Sequence, residues 1–352
     1  MNRMAEQTIR SLYQEAAELD DNDRRRALVD HARKSESHAR LKSMISLAST
    51  QAEVAVRSAD FDRDVWLLNC TNGVVNLRNG ELRPHDPALL LTKVTRTGFV
   101  AEATCPRWEA FVLECMGGDQ ELAAYLQRVA GYALTGDIRE HCLFFLCGGG
   151  ANGKGSFVNT LVRLLGDYAK PGALDLLLEK RGEAHPTEQA DLFGARLVSV
   201  QEVEQGKPWA EATLKALTGG DPIKARRMRE DFWTFEPTHK LLVSGNHKPR
   251  ARGGDDGFWR RMRVIPFEVS FKGREDRTLG DKLAAEAPGI LAWAVRGCLE
   301  WRRGGLAEPE SVHAQTEAYR RESDSAAEFI ATRCTFEVGQ RIAKPELRKK
   351  YE

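Results

Sequence analysis

Apolar positions in this chain recur with three different rhythms, and each predicts a different kind of structure. Over residues 4–56, Ala and Leu repeat at helical spacing among Glu and Arg. That predicts two or three helices, broken near 20–23 by an aspartate-rich cluster suited to an N-cap. From Trp66 the pattern changes. Short apolar segments at 66–71 and 74–78 are followed by Asn72-Gly73 and Asn79-Gly80, and Asn-Gly pairs between apolar segments signal hairpins. Helical spacing resumes over 108–134. Between Cys142 and Phe267 stand four short apolar runs, 142–147, 197–200, 240–244 and 263–267. Helical stretches separate the first two, so the segment predicts strand–helix–strand units and a mostly parallel sheet. Beyond Ser270 the chain returns to helix, most clearly over 288–301, where Pro288 suits a first turn, and then over 311–321. Residues 345–352 read as a helix cut short, as expected for a piece of a longer protein. No internal repeat or low-complexity tract interrupts these rhythms.

The expected class is therefore α/β. A mainly helical domain with a β-hairpin spans 1–130, an α/β domain spans 131–270, and a helical segment spans 271–335. Residues 336–352 are expected to begin a further domain.

Composition narrows the class. With 352 residues, 42% hydrophobic and 29% charged, the chain has the profile of a soluble globular protein with two or three cores. Its 52 basic residues nearly balance 51 acidic ones, so affinity for nucleic acid has to come from local clusters. The seven cysteines are odd in number and scattered, without metal-knuckle spacing, and read as reduced structural thiols of a cytoplasmic protein. No apolar run is long enough to span a membrane, and the N-terminus lacks a signal-peptide segment.

The candidate chemistry begins at Gly148-Gly149-Gly150-Ala151-Asn152-Gly153-Lys154-Gly155-Ser156. An apolar strand feeds this glycine-rich turn, which feeds an amphipathic helix, the context of a phosphate-binding loop. Glycines let backbone N–H groups curl around phosphate, the helix N-terminus adds partial positive charge, and Lys154 reaches the β/γ oxygens. One departure bears on the metal. The position after the lysine, where a Ser or Thr hydroxyl would ligate Mg²⁺, is Gly155, and Ser156 follows one residue later. A second strand, 196–200, runs into Gln201-Glu202-Val203-Glu204, whose carboxylates suit Mg²⁺ or a water-orienting base. A third ends in Ser244-Gly245-Asn246, and its amide could hold an attacking water. If the three strands are parallel, Lys154, Glu202 and Asn246 emerge along one carboxyl edge, where open α/β sheets bind ligands. The guanidinium groups of 257–267 could serve a neighbouring subunit's nucleotide. Residues 221–235 read as a hairpin with a basic first strand and tip and an aromatic return, a combination that suits single-stranded nucleic acid.

Taken in order, the series Gly-x-x-Ala-Asn-Gly-Lys, Val-Gln-Glu-Val-Glu, Leu-Thr-Gly-Gly-Asp-Pro-Ile, Gly-Asn-His-Lys-Pro and Trp-Arg-Arg-Met-Arg-Val-Ile-Pro-Phe resembles the phage and plasmid primase–helicases of helicase superfamily III. The resemblance covers roughly 60–334. It includes 72–77 and 126–136, which are similar to the helical domain that precedes the motor in poxvirus-type primase–helicases. It implies an AAA+ motor assembled as a homo-hexamer that translocates 3′→5′ and unwinds DNA, in the cytoplasm of a bacterium hosting a mobile element. It further implies that Gly148, Gly150, Ala151, Asn152, Gly153, Lys154, Gly155 and Ser156 hold ATP and Mg²⁺. Glu202 would be the Walker B acid, with Glu204 able to share that role, and Asn246 the sensor. Arg260 or Arg261 would be the trans-acting finger, and Lys224, Arg226, Arg227 and Arg229 would grip DNA. Single-stranded and forked DNA, further copies of the chain and a primase domain or protein are the implied partners. Residues 20–23 are better read as a helix cap than as a primase metal site.

Three other classes use a phosphate loop. A small-molecule kinase would need an arginine-rich lid, whereas the basic residues here lie in a hairpin. An ATP-switched DNA-binding or origin-recognition module would bind nucleotide without processive unwinding, and Glu202 argues against it. A GTPase would need an Asn-Lys-x-Asp base reader, which Asn246-His247-Lys248-Pro249 does not supply.

Overall fold

A computed structural model describes residues 2–51, 54–179, 186–201, 207–251, 255–324, 329, 333–335, 337 and 339–351. The chain divides into two compact units, Met1–Phe61 and Asp62–Glu352. The first holds three helices, α1 (Asn2–Glu18), α2 (Asn22–Ser35) and α3 (His38–Ala48). The aspartate cluster acts as expected: the Asp21 carboxylate accepts from the backbone N–H groups of Asp23 and Arg24 and caps α2.

The second unit opens with an antiparallel meander, β1 (Leu67–Cys70), β2 (Gly73–Asn76) and β3 (Glu81–Arg83). The hairpins form, but the first turn lies one residue earlier than the Asn-Gly signal suggests. Thr71 and Asn72 make the turn, while Gly73 pairs with Cys70 and begins β2, at a point where a Cβ would lie 2.4 Å from the Arg83 carbonyl oxygen. Helices α4 (Pro106–Cys115) and α5 (Gln120–Leu134) follow. Next come β4 (Leu143–Cys147), α6 (Lys154–Leu165), β5 (Ala169–Pro171), α7 (Pro186–Ala190) and β6 (Leu197–Val200). The chain continues through α8 (Glu211–Gly219), the hairpin β7 (Ile223–Ala225) and β8 (Trp233–Phe235), and β9 (Lys240–Gly245). It then passes through α9 (Asp256–Trp259), β10 (Met262–Pro266), α10 (Leu279–Ala285), α11 (Ala287–Gly304) and α12 (Glu310–Ser323). A last helix covers Lys344–Tyr351.

Five strands form one sheet in the order β10-β4-β9-β6-β5, every pair parallel. The four apolar runs read from the sequence are four of these strands. They lack polar alternation because both faces are covered. Phe144, Leu146, Leu242 and Ile265 join one core, with residues of α5, α6 and α11. Leu143, Phe145, Leu241, Val243 and Val264 join the other, with residues of α8, the β7–β8 hairpin and Tyr319 of α12. Helices α5 and α11 cross at backbone distance. A Cβ on Gly131 would sit 2.0 Å from the Cys298 nitrogen, and one on Gly297 would sit 2.2 Å from the Gln127 oxygen. Two buried cations join the sheet to the C-terminal end of α5, which carries partial negative charge. Arg196 donates to the carbonyls of Leu134 and Leu67, both at 2.7 Å, and Lys240 to those of Thr135 and Asp137. Among the described residues, no helix is long and apolar enough to cross a membrane.

Candidate functional site

The carboxyl ends of β4, β9 and β6 stand side by side, since Cys147 pairs with Gly245 and Val200 with Val243. The chain leaves β4 directly into the 148–156 loop and leaves β9 directly into Asn246. Between them opens a cleft of about 340 Å³ lined by the loop from Gly150 to Ser156, Gln201, Ser244, Gly245 and Asn246.

The loop is held by contacts that dictate its glycines. Asn152 Nδ2 donates to the Phe267 carbonyl at 2.8 Å, tying the loop to the end of β10. Gly148 passes so close that a Cβ would lie 2.0 Å from the same carbonyl oxygen. Gly153, at φ +86°, precedes α6, and a Cβ there would meet Cys115 Sγ at 2.3 Å. No side chain caps α6, so its first backbone N–H groups belong to the cleft.

Lys154 is 6% exposed. Its ammonium donates to Gly148 O at 2.7 Å, Asn152 Oδ1 at 2.9 Å and Asn246 Oδ1 at 3.1 Å. Loss of solvation holds this amine below the ordinary lysine range. A desolvated cation and an uncapped helix N-terminus share the cleft, and both favour an anion there.

The structure thus brings Lys154, Asn152, Asn246, Gly155 and Ser156 together. Glu202 and Glu204, expected on the same edge, lie outside the described residues. Gln201, at the start of that segment, lines the cleft and donates to Asn159 Oδ1 at 2.8 Å. The sequence reading gave Gln201 and Ser244 no role, although both stand inside motifs it used. A hard cation would find the Ser156 hydroxyl at the cleft. A side chain at Gly155 would find open space, since no atom lies within 4 Å of its built Cβ. No cluster of three or more His, Cys, Asp or Glu suited to a metal occurs among the described residues.

The remaining candidates lie at the opposite edge. Arg260 and Arg261 precede β10, whose Met262 pairs with Leu143 at the start of β4. They are therefore about 16 Å from the loop, five residues at roughly 3.3 Å each. Arg260 is exposed, whereas Arg261 is half-buried and donates to the Gly257 carbonyl at 2.6 Å. The β7–β8 hairpin, just ahead of β9, also lies at the amino edge. Ile223, Ala225 and Phe235 anchor it, while Lys224, Arg226, Arg227 and Arg229 are exposed. Lys224 Nζ and the Arg226 guanidinium lie 4.8 and 4.7 Å from the centre of the Phe232 ring, which is 50% exposed.

The family described as "D5 N terminal like" matches residues 1–117, and one described as a family of unknown function (DUF5906) matches 146–261. "Putative helicase L207/L206" of Acanthamoeba polyphaga mimivirus is 28% identical over 295 residues, covering 77% of this chain and 31% of the relative. "Putative helicase 022R" of Frog virus 3 is 26% identical over 239 residues, covering 60% and 24%. "Putative primase C962R" of African swine fever virus is 21% identical over 313 residues, covering 80% and 32%. The chain thus spans less than a third of the length of these curated relatives. Among solved structures, the apo NrS-1 C terminal region shares the fold, with a TM-score of 0.52 at 15% identity over 66% of this chain and 55% of that one. The family match and the viral relatives support a relationship to D5-like primase–helicases.

Proposed function

We propose that this chain is the ATP-driven motor of a D5-like primase–helicase, with AAA+ architecture of superfamily III, acting as a ring of copies on single-stranded and forked DNA. The observation that carries the reading is the 3.1 Å contact between Lys154 Nζ and Asn246 Oδ1. Two strand ends distant in sequence offer a cation and an amide to the same small volume. A triphosphate on the loop would lie against the Lys154 ammonium and the first N–H groups of α6, with charge balanced where it accumulates during γ-phosphoryl transfer. Asn246 would orient the attacking water, and Glu202 would accept its proton, with Glu204 able to share the role. Mg²⁺, when bound through Ser156, would supply further neutralisation of the phosphates. Of the two arginines, Arg260 has the exposure to reach a neighbouring copy's nucleotide. Lys224, Arg226, Arg227 and Arg229 would track the DNA backbone, with Phe232 offering a stacking face.

ATP hydrolysis with and without single-stranded DNA, together with strand displacement on forked DNA with defined tails, tests the reading. Turnover stimulated by DNA and duplex separation are expected. Lys154→Ala should lower turnover by about two orders of magnitude or more with the fold intact by circular dichroism, because removing a preorganised charge stabiliser costs that much. Full ATPase activity in that variant would refute the loop assignment. Binding without turnover in the wild type would favour a switch over a motor.

A further inference from the structure

The aromatic residue at position 319 has no part in the chemistry above, yet it touches four of the segments around it. Tyr319 lies on α12 and is 2% exposed. Its hydroxyl donates to the Pro249 carbonyl, three residues after Asn246, and accepts from Trp209 Nε1 at 2.7 Å. Trp209 belongs to the strip that returns from the 202–206 segment, and its backbone N–H donates to Arg250 O at 2.9 Å. The Tyr319 ring meets Phe145 of β4, the strand that feeds the phosphate loop, with centres 6.4 Å apart. It meets Trp259, which directly precedes Arg260, edge-on at 5.2 Å.

The rest of α12 repeats this bridging. Glu322 pairs with Lys248 at 3.0 Å, and Lys248 Nζ lies 5.4 Å from the centre of the Tyr319 ring. Arg320 pairs with Asp256 in the arginine-bearing turn. Thr316 Oγ1 accepts from the Val264 N–H of β10 at 3.1 Å. One face of a single helix is therefore pinned both to the segment just after Asn246 and to the turn that presents Arg260.

We infer that Tyr319 is a positioning residue through which α12 transmits occupancy of the cleft to the Arg260 turn. The inference rests on the nucleotide reading above and adds its regulation. A nucleotide that draws on Asn246 would shift the 246–250 segment. The Tyr319 hydroxyl is the hydrogen-bonded link from that segment into the packed ring of Trp259, and rigid contacts of this kind transmit displacement because packed interiors do not deform freely. In a ring, each copy's cleft would thereby set the posture of the arginine offered to its neighbour.

Hydrogen exchange on the full chain, with and without Mg²⁺–ADP, tests this by reading the two segments separately. In the wild type, nucleotide should slow exchange in 148–156 and also in 255–263. In Tyr319→Phe, which keeps the ring and removes only the hydroxyl, 148–156 should be protected as before and ADP affinity should stay within about twofold. Protection of 255–263 should fall roughly three- to tenfold, the size of a typical intramolecular coupling. Glu322→Gln, at the exposed end of the helix, should weaken the response in the same direction with the fold undisturbed. Equal protection of 255–263 in wild type and Tyr319→Phe would overturn the relay while leaving the nucleotide site standing. Loss of protection at both segments in Tyr319→Phe would overturn it as well, by making the tyrosine a structural support of the cleft. Absence of protection at 148–156 in the wild type would instead count against the nucleotide reading, and the relay would fall with it.

Discussion

Gly148 and Gly155 belong to one loop and face opposite constraints. At Gly148 a Cβ would lie 2.0 Å from the Phe267 carbonyl oxygen, which is backbone and cannot step aside, whereas at Gly155 it would meet nothing within 4 Å. Gly148→Ala should therefore displace the loop and abolish nucleotide binding, as read by titration with a fluorescent ADP. Gly155→Thr should fold with stability within about 0.5 kcal/mol of wild type. It should also lower the Mg²⁺ concentration needed for half-maximal ATPase activity severalfold, because it offers a hydroxyl next to Lys154. An unchanged Mg²⁺ dependence would assign that ligation to Ser156 alone. His239 gives a second test at this scale. It is 4% exposed, neither ring nitrogen has a hydrogen-bond partner among the described residues, and burial beside Lys240 lowers its pKa to about 4. The folded chain keeps this ring neutral, so as pH falls below 6.5 the unfolded chain takes up a proton that the folded chain does not. Its contribution to stability is complete above about pH 6.5 and is lost on the way down to about pH 4. Between pH 7 and 5 the loss should be about 2 kcal/mol in urea unfolding. His239→Leu should flatten that slope, and an unchanged slope would place the acid sensitivity elsewhere.

At the scale of elements, the β7–β8 hairpin separates anchoring from contact by strand alternation. Ile223 and Ala225 point into the core while Lys224 between them is exposed, and Phe235 is buried while Thr234 is exposed. Cations and the Phe232 ring thus share one tip, and backbone-tracking charge can be removed without disturbing the anchor. Arg226→Ala and Arg227→Ala should each weaken binding to single-stranded DNA and reduce the salt dependence of log K by about one. ADP affinity should not change, because the hairpin and the cleft lie at opposite edges of the sheet. A salt slope equal to that of wild type would remove these side chains from the DNA contact.

At the scale of the whole molecule, the parallel sheet separates two kinds of residue. Lys154 and Asn246 follow strand ends, whereas Arg260 precedes a strand start, and the length of β4 and β10 lies between them. An arginine about 16 Å from its own cleft can act on nucleotide only in another copy, so a finger role for Arg260 requires self-association. Mixing Arg260→Ala with wild type should depress ATPase activity well below the wild-type fraction present. Strictly proportional loss would deny a role across subunits. Arg261→Ala should behave differently, lowering the thermal transition, because its guanidinium donates to Gly257 O within its own turn.

The sequence by itself determined four strands of the sheet, the glycine-rich loop between β4 and α6, and the cap of α2. Each is written in neighbouring residues: an uninterrupted apolar run because both faces are buried, glycines because a loop closes tightly, and an aspartate because helix N–H groups need an acceptor. Adjacency of Lys154 and Asn246 was legible too, since both follow the carboxyl ends of strands read as parallel. Strand β5 was not legible, because three residues ending in Pro171 carry no period and pair on one side only, at the edge of the sheet. Nor was the capping of α4, where the Glu286 carboxylate accepts from the N–H groups of Arg107 and Trp108 at 3.0 and 2.9 Å. The α5–α11 crossing at Gly131 and Gly297 and the junction at Tyr319 belong to the same class. Periodicity records that a side chain is buried. Which of the residues a hundred or more positions away will bury it was decided only when the layers packed.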